Sequence, residues 1–314
     1  YTHSKRAFLN EKGIEYDYIF SHTNGVIMNQ PEIKHFFHRS TWTYSYVVSD
    51  PESKRCAIID PVMDLNYRAG RVCPFAAEDI IEYLEEQKLA VDWLLETHAH
   101  ADHVSSSAYL RSKLGGRIGI GEDIKEVQKT FKKFYNLEGD FPVDGSQFDH
   151  LFSDGEEFKI GNLTASVIHT PGHTPACLTY VIGNAAFVGD TLFMPDSGTA
   201  RADFPGGSAT TLYESIQKLY SLPDETTLYM CHDYKPTAPP PRWMTTVKDE
   251  KEKNIYIQAG VTEEMYVAVR NGIDSSLEAP NLLLPSIQLN IRAGELPPAE
   301  NDGAQYLKIP LNKI

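Results

Sequence analysis

Four side chains of types that bind metal ions fall within six positions of the sequence: His98, His100, Asp102 and His103. They come directly after an apolar run, residues 91–97, which predicts a buried strand that ends in this loop. Imidazole and carboxylate groups at this spacing can converge on one or two divalent cations. A lone histidine is usually structural, but this density of ligand types is hard to explain by packing. The segment therefore predicts a metal site.

Three later segments each place a ligand-type residue at or just after the end of a predicted strand. His173 lies in T-P-G-H-T-P, Asp190 in G-D-T-L-F, and His232 in C-H-D-Y. Loops at strand ends gather into sites in layered folds. We therefore expect these three side chains to join the first four at one cleft.

The rest of the pattern alternates short strands with amphipathic helices. The predicted strands cover residues 42–48, 55–60, 91–97, 158–160, 164–168, 177–182, 185–188 and 228–230. The predicted helices cover residues 76–87, 105–114, 123–134 and 208–219. This order suggests two sheets with helices on both outer faces. After residue 234 prolines form a stiff loop before a charged helix near residues 248–254, and the remainder is expected to pack as an extension.

The order and spacing of these motifs over residues 41–234 resemble the metallo-β-lactamase superfamily. In that family the H-x-H-x-D-H loop, the His of P-G-H-T, the Asp of G-D and a final His form the metal cleft, and all seven positions are filled here. The resemblance implies an α/β fold of αββα sandwich type, with two stacked mixed β-sheets flanked by helices. We divide the chain into an N-terminal arm at 1–40, a catalytic domain at 41–235 and a packed C-terminal extension at 236–314.

One branch of the superfamily fits the segment that follows Asp190. Residues 197–207 read S-G-T-A-R-A-D-F-P-G-G, which is similar to the G-x-x-R-x-D-F stretch of persulfide dioxygenases. The segments A-I-I-D-P-V at 57–62, H-D-Y at 232–234 and N-I-R-A-G at 290–294 are similar to that family as well. Those enzymes oxidise glutathione persulfide with dioxygen to sulfite and glutathione. The resemblance implies small-molecule partners, a thiol persulfide and O2.

The cofactor implied by this resemblance is one Fe(II) per chain, held by a facial triad that leaves three positions open. Two histidines and one carboxylate make up the implied metal ligands: His98, His173 and Asp190. Four further side chains are implied to lie beside the iron without ligating it, where they orient ligands, tune the metal and take part in catalysis: His100, Asp102, His103 and His232.

The charge balance predicts a local cation in the substrate site. The 29 Lys and Arg residues against 43 Asp and Glu give a formal charge of −14, which disfavours nucleic acid as a partner. Because glutathione carries two carboxylates, Arg201 and Arg292 are the candidate substrate-binding cations. The resemblance adds Asp203 and Tyr234 near the thiol substrate. The alternative is that Arg201 and Asp203 form an ion pair that stabilises a loop, and both roles can coexist.

The main alternative function is a glyoxalase II-like hydrolase, in which two metal ions, such as zinc, activate a hydroxide that attacks a glutathione thioester. All seven ligand positions are compatible with it. The R-x-D-F stretch and a C-terminal region unlike the helical glutathione-binding domain of glyoxalase II disfavour it. A flavodiiron-type protein is disfavoured because it has Glu where this chain has His100. A metal-binding protein without catalysis is the remaining alternative, and the absence of turnover would favour it.

The compartment and assembly are predicted from absent signals. No apolar run is long enough to span a bilayer, and the first residues lack a signal-peptide core. The four cysteines are scattered without C-x-x-C spacing, which indicates neither disulfides nor a cysteine-based zinc site. We expect an intracellular protein, cytoplasmic or in the mitochondrial matrix if eukaryotic. The tail at 295–314 is expected either to cap the site or to form a homo-oligomer contact.

Overall fold

The computed structural model describes residues 30–137, 139–234 and 240–313. Residues 1–29 of the predicted N-terminal arm lie outside the described residues, and so do Pro236 and Pro239 of the predicted stiff loop. Within the described ranges, no helix has the length and apolar character needed to cross a membrane.

Fifteen strands and seven α-helices make up the described part of the chain. In chain order they are β1 (Glu32–His38), β2 (Thr43–Ser49), β3 (Arg55–Ile59), β4 (Val62–Asn66), β5 (Arg71–Cys73), α1 (Phe75–Gln87), β6 (Ala90–Leu95), β7 (Val104–Ser105), α2 (Ser107–Leu114), β8 (Arg117–Gly121), α3 (Ile124–Tyr135), β9 (His150–Phe152), β10 (Glu157–Ile160), β11 (Leu163–His169), β12 (Leu178–Ile182), β13 (Ala185–Phe187), α4 (Ala209–Tyr220), β14 (Thr227–Tyr229), β15 (Met244–Thr246), α5 (Val247–Lys253), α6 (Glu263–Asp274) and α7 (Leu283–Asn290).

The strands form two six-stranded mixed sheets and one small sheet. The first large sheet has the order β1-β2-β3-β6-β8-β9, and the second has the order β10-β11-β12-β13-β14-β15. In the first sheet the neighbours from β3 onward run parallel. The small sheet, β5-β4-β7, includes the strand that directly follows the histidine loop.

The two large sheets stack with helices on both outer sides. Because successive side chains of a strand point to opposite faces, Val47 and Ile58 pack among apolar residues of α1, α2 and α3, whereas Val48 and Ile59 pack against the second sheet. On the far side of the second sheet, Leu228 lies in a core with residues of α4 and α6. These four layers confirm the predicted αββα sandwich.

The large sheets extend beyond the predicted limits of the catalytic domain. At the N-terminal side β1 pairs with β2, with Ile33 opposite Val48, although residues up to 40 were predicted as an arm. At the C-terminal side β15 pairs with β14. Helix α6 packs on α4, and α7 packs on β7. The sheets and their covering helices therefore draw on both flanking segments.

Strand β8 was missed because two of its five residues are glycines. A Cβ atom at Gly119 would lie 2.5 Å from the ring of Phe152, and one at Gly121 would lie 2.7 Å from the carbonyl oxygen of Ala176. Glycine usually signals a turn, and in this strand it allows close approach of the neighbouring β9 and β12 segments.

Candidate metal centre

The seven predicted ligand-type residues lie in loops that follow four strands. The histidine loop follows β6, His173 follows β11, Asp190 follows β13, and His232 follows β14. The two large sheets are joined at this edge, because Thr43 forms an isolated bridge with His232 and the Tyr44 N–H donates to the Cys231 carbonyl oxygen at 2.7 Å. Ion-pair distances and ring contacts connect all seven side chains into one cluster.

The three predicted iron ligands meet at one point. Asp190 Oδ2 lies 3.9 Å from His98 Nε2 and 3.8 Å from His173 Nε2. Two atoms that each lie about 2 Å from one ion are at most about 4 Å apart, so these distances fit a common metal. All three side chains are buried, and His98 Nε2 has no hydrogen-bond partner among the described residues. A buried acceptor of this kind is otherwise costly, which favours a metal ion as its partner.

Main-chain carbonyl groups set the ring orientation of two histidines. The Nδ1 atom of His173 donates to the carbonyl oxygen of Arg201 at 2.8 Å, and that of His232 donates to the carbonyl oxygen of Trp42 at 3.2 Å. Each proton is thereby placed on Nδ1, which leaves Nε2 as a lone-pair donor toward the cleft. Trp42 adopts a left-handed φ of 57°, which is unfavourable for a bulky residue and presents its carbonyl group to His232.

Burial controls the protonation of the three ligands. It lowers the pKa of His98 well below its usual value and also lowers the pKa of His173, so both imidazoles are neutral and can bind a metal. Burial, together with the Asp102 carboxylate, raises the pKa of Asp190 to about 6, although His232 acts in the opposite direction. A bound cation would favour the ionised form of Asp190.

Two buried carboxylates contact the Nε2 atom of His100. Its Nε2 atom lies 3.0 Å from Asp60 Oδ1 and 3.4 Å from Glu96 Oε2. Burial lowers the pKa of His100, but the two carboxylates outweigh burial and raise it well above its usual value. Glu96 in turn accepts hydrogen bonds from the hydroxyl groups of Ser105 and Ser107.

Sequence reasoning did not identify Asp60 and Glu96 as site residues. Each had a signal, because Asp60 ends a predicted strand and Glu96 is an acidic residue inside the apolar run 91–97. A carboxylate in a buried strand needs a partner. That rule could have directed attention to the neighbouring histidines.

Asp102 contacts three neighbouring polar side chains. Its Oδ2 atom accepts from the Thr43 hydroxyl at 3.3 Å and lies 3.4 Å from His103 Nδ1 and 3.3 Å from His232 Nε2. The Tyr234 ring stacks on His232 with centroids 4.5 Å apart.

Arg201 and Asp203 form the ion pair of the alternative prediction. The Nε and Nη2 atoms of Arg201 donate to the two carboxylate oxygens of Asp203 at 2.6 and 2.7 Å, and Nη1 donates to the Glu278 carbonyl oxygen at 2.7 Å. The main chain of Arg201 also orients His173. The pair therefore stabilises a loop at the site, and its contact with substrate stays a prediction.

Arg292 lies at a separate cavity from the ion pair. Its guanidinium group stacks on the ring of Phe141, 4.5 Å from the centroid. It lines a cavity of about 170 Å³ that is also walled by Leu137, Gln288, residues 297–300, Tyr306 and Lys308. The described lining of this cavity contains no residue of the histidine cluster. The predicted contact of Arg292 with substrate therefore requires a ligand long enough to reach from the cluster to this cavity.

Helix α6 supports the loop that carries Arg201. Asp274 Oδ2 accepts a hydrogen bond from the Ala202 N–H at 2.8 Å. Arg270 pairs with Asp274 and donates to the Thr199 carbonyl oxygen at 3.0 Å. Both α6 side chains are buried. Sequence reasoning missed them, because the bonds that connect them to the site loop go to main-chain groups of Thr199 and Ala202, which no motif reveals.

Several known proteins are similar to this chain in sequence. A probable metallo-hydrolase of Burkholderia pseudomallei is 48% identical over 90% of this chain and 99% of its own length. Glyoxylase B2 of Dictyostelium discoideum is 49% identical over 91% and 99% of the two chains. The human mitochondrial persulfide dioxygenase ETHE1 is 28% identical over 83% and 88%.

A solved structure and a family model also match this chain. The crystal structure of ETHE1 from Myxococcus xanthus covers 84% of this chain and 100% of its own, with a TM-score of 0.68 and 26% identity. The family model described as the metallo-beta-lactamase superfamily matches residues 43–232, from the first residue of β2 to the last ligand-type histidine. The chain therefore belongs to the metallo-β-lactamase superfamily.

Proposed function

We propose that this chain is a persulfide dioxygenase that binds one Fe(II) through His98, His173 and Asp190. Its substrate would be glutathione persulfide or a related small persulfide, whose outer sulfur would be converted by O2 and one water to sulfite while the thiol is released. The observation that carries the proposal is the convergence of these three buried ligand atoms next to an Asp102 carboxylate whose Oδ2 already accepts from Thr43. The likeness to two proteins named ETHE1, one of them a persulfide dioxygenase, supports it.

Bound Fe(II) would supply open coordination positions and an electron for dioxygen. Spin-pairing otherwise prevents dioxygen from taking an electron directly from a thiolate, and zinc cannot supply one. The protein supplies the ligand geometry. The Arg201 and Trp42 carbonyl groups orient His173 and His232, and the buried setting keeps the ligand imidazoles neutral.

The surroundings of Asp102 favour one metal over two. A second ion would have to take its ligands from His100, Asp102, His103 and His232. The Asp102 Oδ2 atom already accepts from the Thr43 hydroxyl group, and His103 directs Nδ1 toward the same oxygen. A second ion that binds through this oxygen would have to displace these contacts.

Tyr234 and Arg201 would bind the substrate. The side chain of Tyr234 is 39% exposed, and its ring covers His232, so it lies where the cleft meets solvent. Its protonated hydroxyl group can donate to a sulfur or an oxygen of the substrate. Arg201 offers a planar guanidinium suited to a carboxylate, and its ion pair with Asp203 lies near the surface, where one partner can be exchanged.

The second candidate is a two-metal thioester hydrolase. Ligand atoms of His100, Asp102 and His103 lie within 4.8 Å of one another, which is close enough for a second ion. The relatives named metallo-hydrolase and glyoxylase share 48% and 49% identity with this chain, more than the persulfide dioxygenase does. In such an enzyme the two ions supply the attacking hydroxide.

One experiment separates the two functions. The protein is purified without added metal and assayed in parallel for oxygen uptake with glutathione persulfide and for hydrolysis of a glutathione thioester. We expect oxygen uptake that scales with iron content, and thioester hydrolysis near background. Hydrolysis without oxygen uptake, from protein holding two zinc ions per chain, would support the hydrolase. The predicted cytoplasmic or mitochondrial-matrix location and the homo-oligomer remain predictions from the sequence.

A further inference from the structure

We propose that Asn290, at the end of α7, is a positioning residue for the metal-binding loop. Its side-chain Nδ2 donates to the carbonyl oxygens of His100 and His103, each at 2.8 Å. Its Oδ1 accepts from the Ser105 N–H, also at 2.8 Å. One amide group from the C-terminal segment thus bonds to the loop on both sides of Asp102.

The three bonds require an amide. The Ser105 N–H needs an acceptor, and the two carbonyl groups need donors, so the orientation of the Asn290 amide is fixed by its partners. The side chain is only 4% exposed, and water has little access to replace it. A carboxylate at this place would face two carbonyl oxygens, and an alanine would leave three buried main-chain groups without these partners.

The close packing of the segment after α7 brings the short Asn290 side chain within reach. At Gly294, where φ is +86°, a Cβ atom would lie 2.6 Å from the Ser105 carbonyl oxygen. The Ala108 N–H donates to the Ala293 carbonyl oxygen at 3.2 Å, and Gln128 Nε2 donates to the Ile291 carbonyl oxygen at 3.0 Å. The segment is therefore fixed to β7, α2 and α3 around Asn290.

Asn290 and Glu96 hold the same serine from two directions. Asn290 accepts from the Ser105 main chain, and Glu96 accepts from the Ser105 hydroxyl group. The other carboxylate oxygen of Glu96 lies 3.4 Å from His100 Nε2. The main chain of the histidine loop is thus bound by Asn290 of α7, and its His100 imidazole lies against Glu96, which directly follows β6. This role goes beyond the proposed reaction, because it applies equally to a one-iron and a two-metal site.

Gln288 provides a matched control on the same helix. It is 2% exposed, its Nε2 donates to the carbonyl oxygens of Leu284 and Lys308, and its Oε1 accepts from the Lys308 N–H. Asn290 and Gln288 are therefore buried amides with the same number of main-chain bonds. The difference between them is that Gln288 fixes the C-terminal tail and Asn290 fixes the metal loop.

The test compares Asn290→Asp, Asn290→Ala and Asn290→Ser with Gln288→Glu and Gln288→Ala. The affinity of the metal-free proteins for Co(II) is measured by competition with a chelator. The visible spectrum of the Co(II)-loaded proteins reports ligand geometry, and the Tm of the metal-free proteins reports stability. We expect the Asp and Ala variants at 290 to bind Co(II) about 10- to 100-fold more weakly with an altered spectrum. The Gln288 variants should keep wild-type affinity and spectrum, even where their Tm falls as far.

Three results would overturn the proposal. One is wild-type Co(II) affinity and spectrum in the folded Asn290→Ala protein. Another is a loss of affinity in the Gln288 variants equal to that in the Asn290 variants, because the effect would then follow stability and not the loop. If neither Asp nor Ala variant folds, Asn290→Ser, which keeps one donor, decides: an intermediate affinity supports the proposal, and wild-type affinity contradicts it.

Discussion

At the scale of single residues, the site divides into side chains that would hold the metal and side chains that hold those ligands. We expect His98→Ala, His173→Ala and Asp190→Ala each to abolish metal retention, because each removes one of three buried ligand atoms. His100→Ala and His232→Ala should leave iron largely bound while turnover falls. Elemental analysis of each purified variant measures this directly. Loss of iron from both His100 and His232 variants would indicate the two-metal site.

A second prediction at this scale concerns Arg201. A charge-assisted pair in a partly desolvated cleft contributes roughly 1.5 to 3 kcal/mol, so Arg201→Ala should lower kcat/KM for glutathione persulfide by about 10- to 100-fold. Iron content should not change. Arg201→Lys keeps the charge but loses the planar fork, so an intermediate kcat/KM is expected. Oxygen-electrode kinetics check this, and unaltered kinetics in the Ala variant would limit Arg201 to its ion pair with Asp203.

At the scale of elements, α6 and α7 contribute to the site through hydrogen bonds from their side chains to main-chain groups of the site loops. Asp274 holds the Ala202 N–H, and the neighbouring Arg201 carbonyl group orients His173. We expect Asp274→Ala to weaken iron binding by about tenfold, as loss of an outer partner of a metal ligand typically does. Asp274→Asn keeps an acceptor oxygen and should have a smaller effect. Chelator competition measures both, and equal retention of iron in the Ala variant and wild type would contradict this role of α6.

Helix α5 carries a buried acid that makes stability depend on pH. Burial raises the pKa of Glu250 to about 8, against an ordinary value of 4.5. Because the folded state binds this proton more tightly, its contribution is complete below about pH 4.5 and is lost as the pH rises through 8. Relative to Glu250→Gln, the wild-type free energy of unfolding should therefore fall between pH 5 and pH 8, by on the order of 1 kcal/mol or more. Denaturant unfolding of both proteins at the two pH values tests it, and parallel pH profiles would show that Glu250 is not responsible.

At the scale of the whole molecule, local patterns in the sequence were enough to predict the layers and the ligand cluster. The αββα layers result from the alternation of apolar residues, and the seven ligand-type side chains meet because each lies at or near a strand end. Strand β8 was not predictable in this way, because Gly119 and Gly121 owe their place to neighbouring strands. Asn290 and Asp274 were not predictable as site residues either, because their partners are main-chain groups far away in the sequence.

The same limit applies to the choice between one metal and two. All seven ligand-type positions are filled in either case, so the ligand motif alone left both functions open, and only the R-x-D-F stretch and the C-terminal region favoured the dioxygenase. The tertiary contact of Asp102 with Thr43, which lies 59 positions before it in the chain, adds to the case for one metal. This contact and the R-x-D-F stretch, and not the ligand motif, support the one-iron site.

The central claim is that one Fe(II) per chain is sufficient for oxygen-dependent turnover of a persulfide. The most direct measurement is a titration of the metal-free protein with Fe(II) under anaerobic conditions, with each mixture then assayed for oxygen uptake with glutathione persulfide. The one-iron site predicts that the rate rises linearly to one equivalent of iron per chain and then stays constant. A rate that rises only beyond one equivalent, or no oxygen uptake at any iron content, would contradict it.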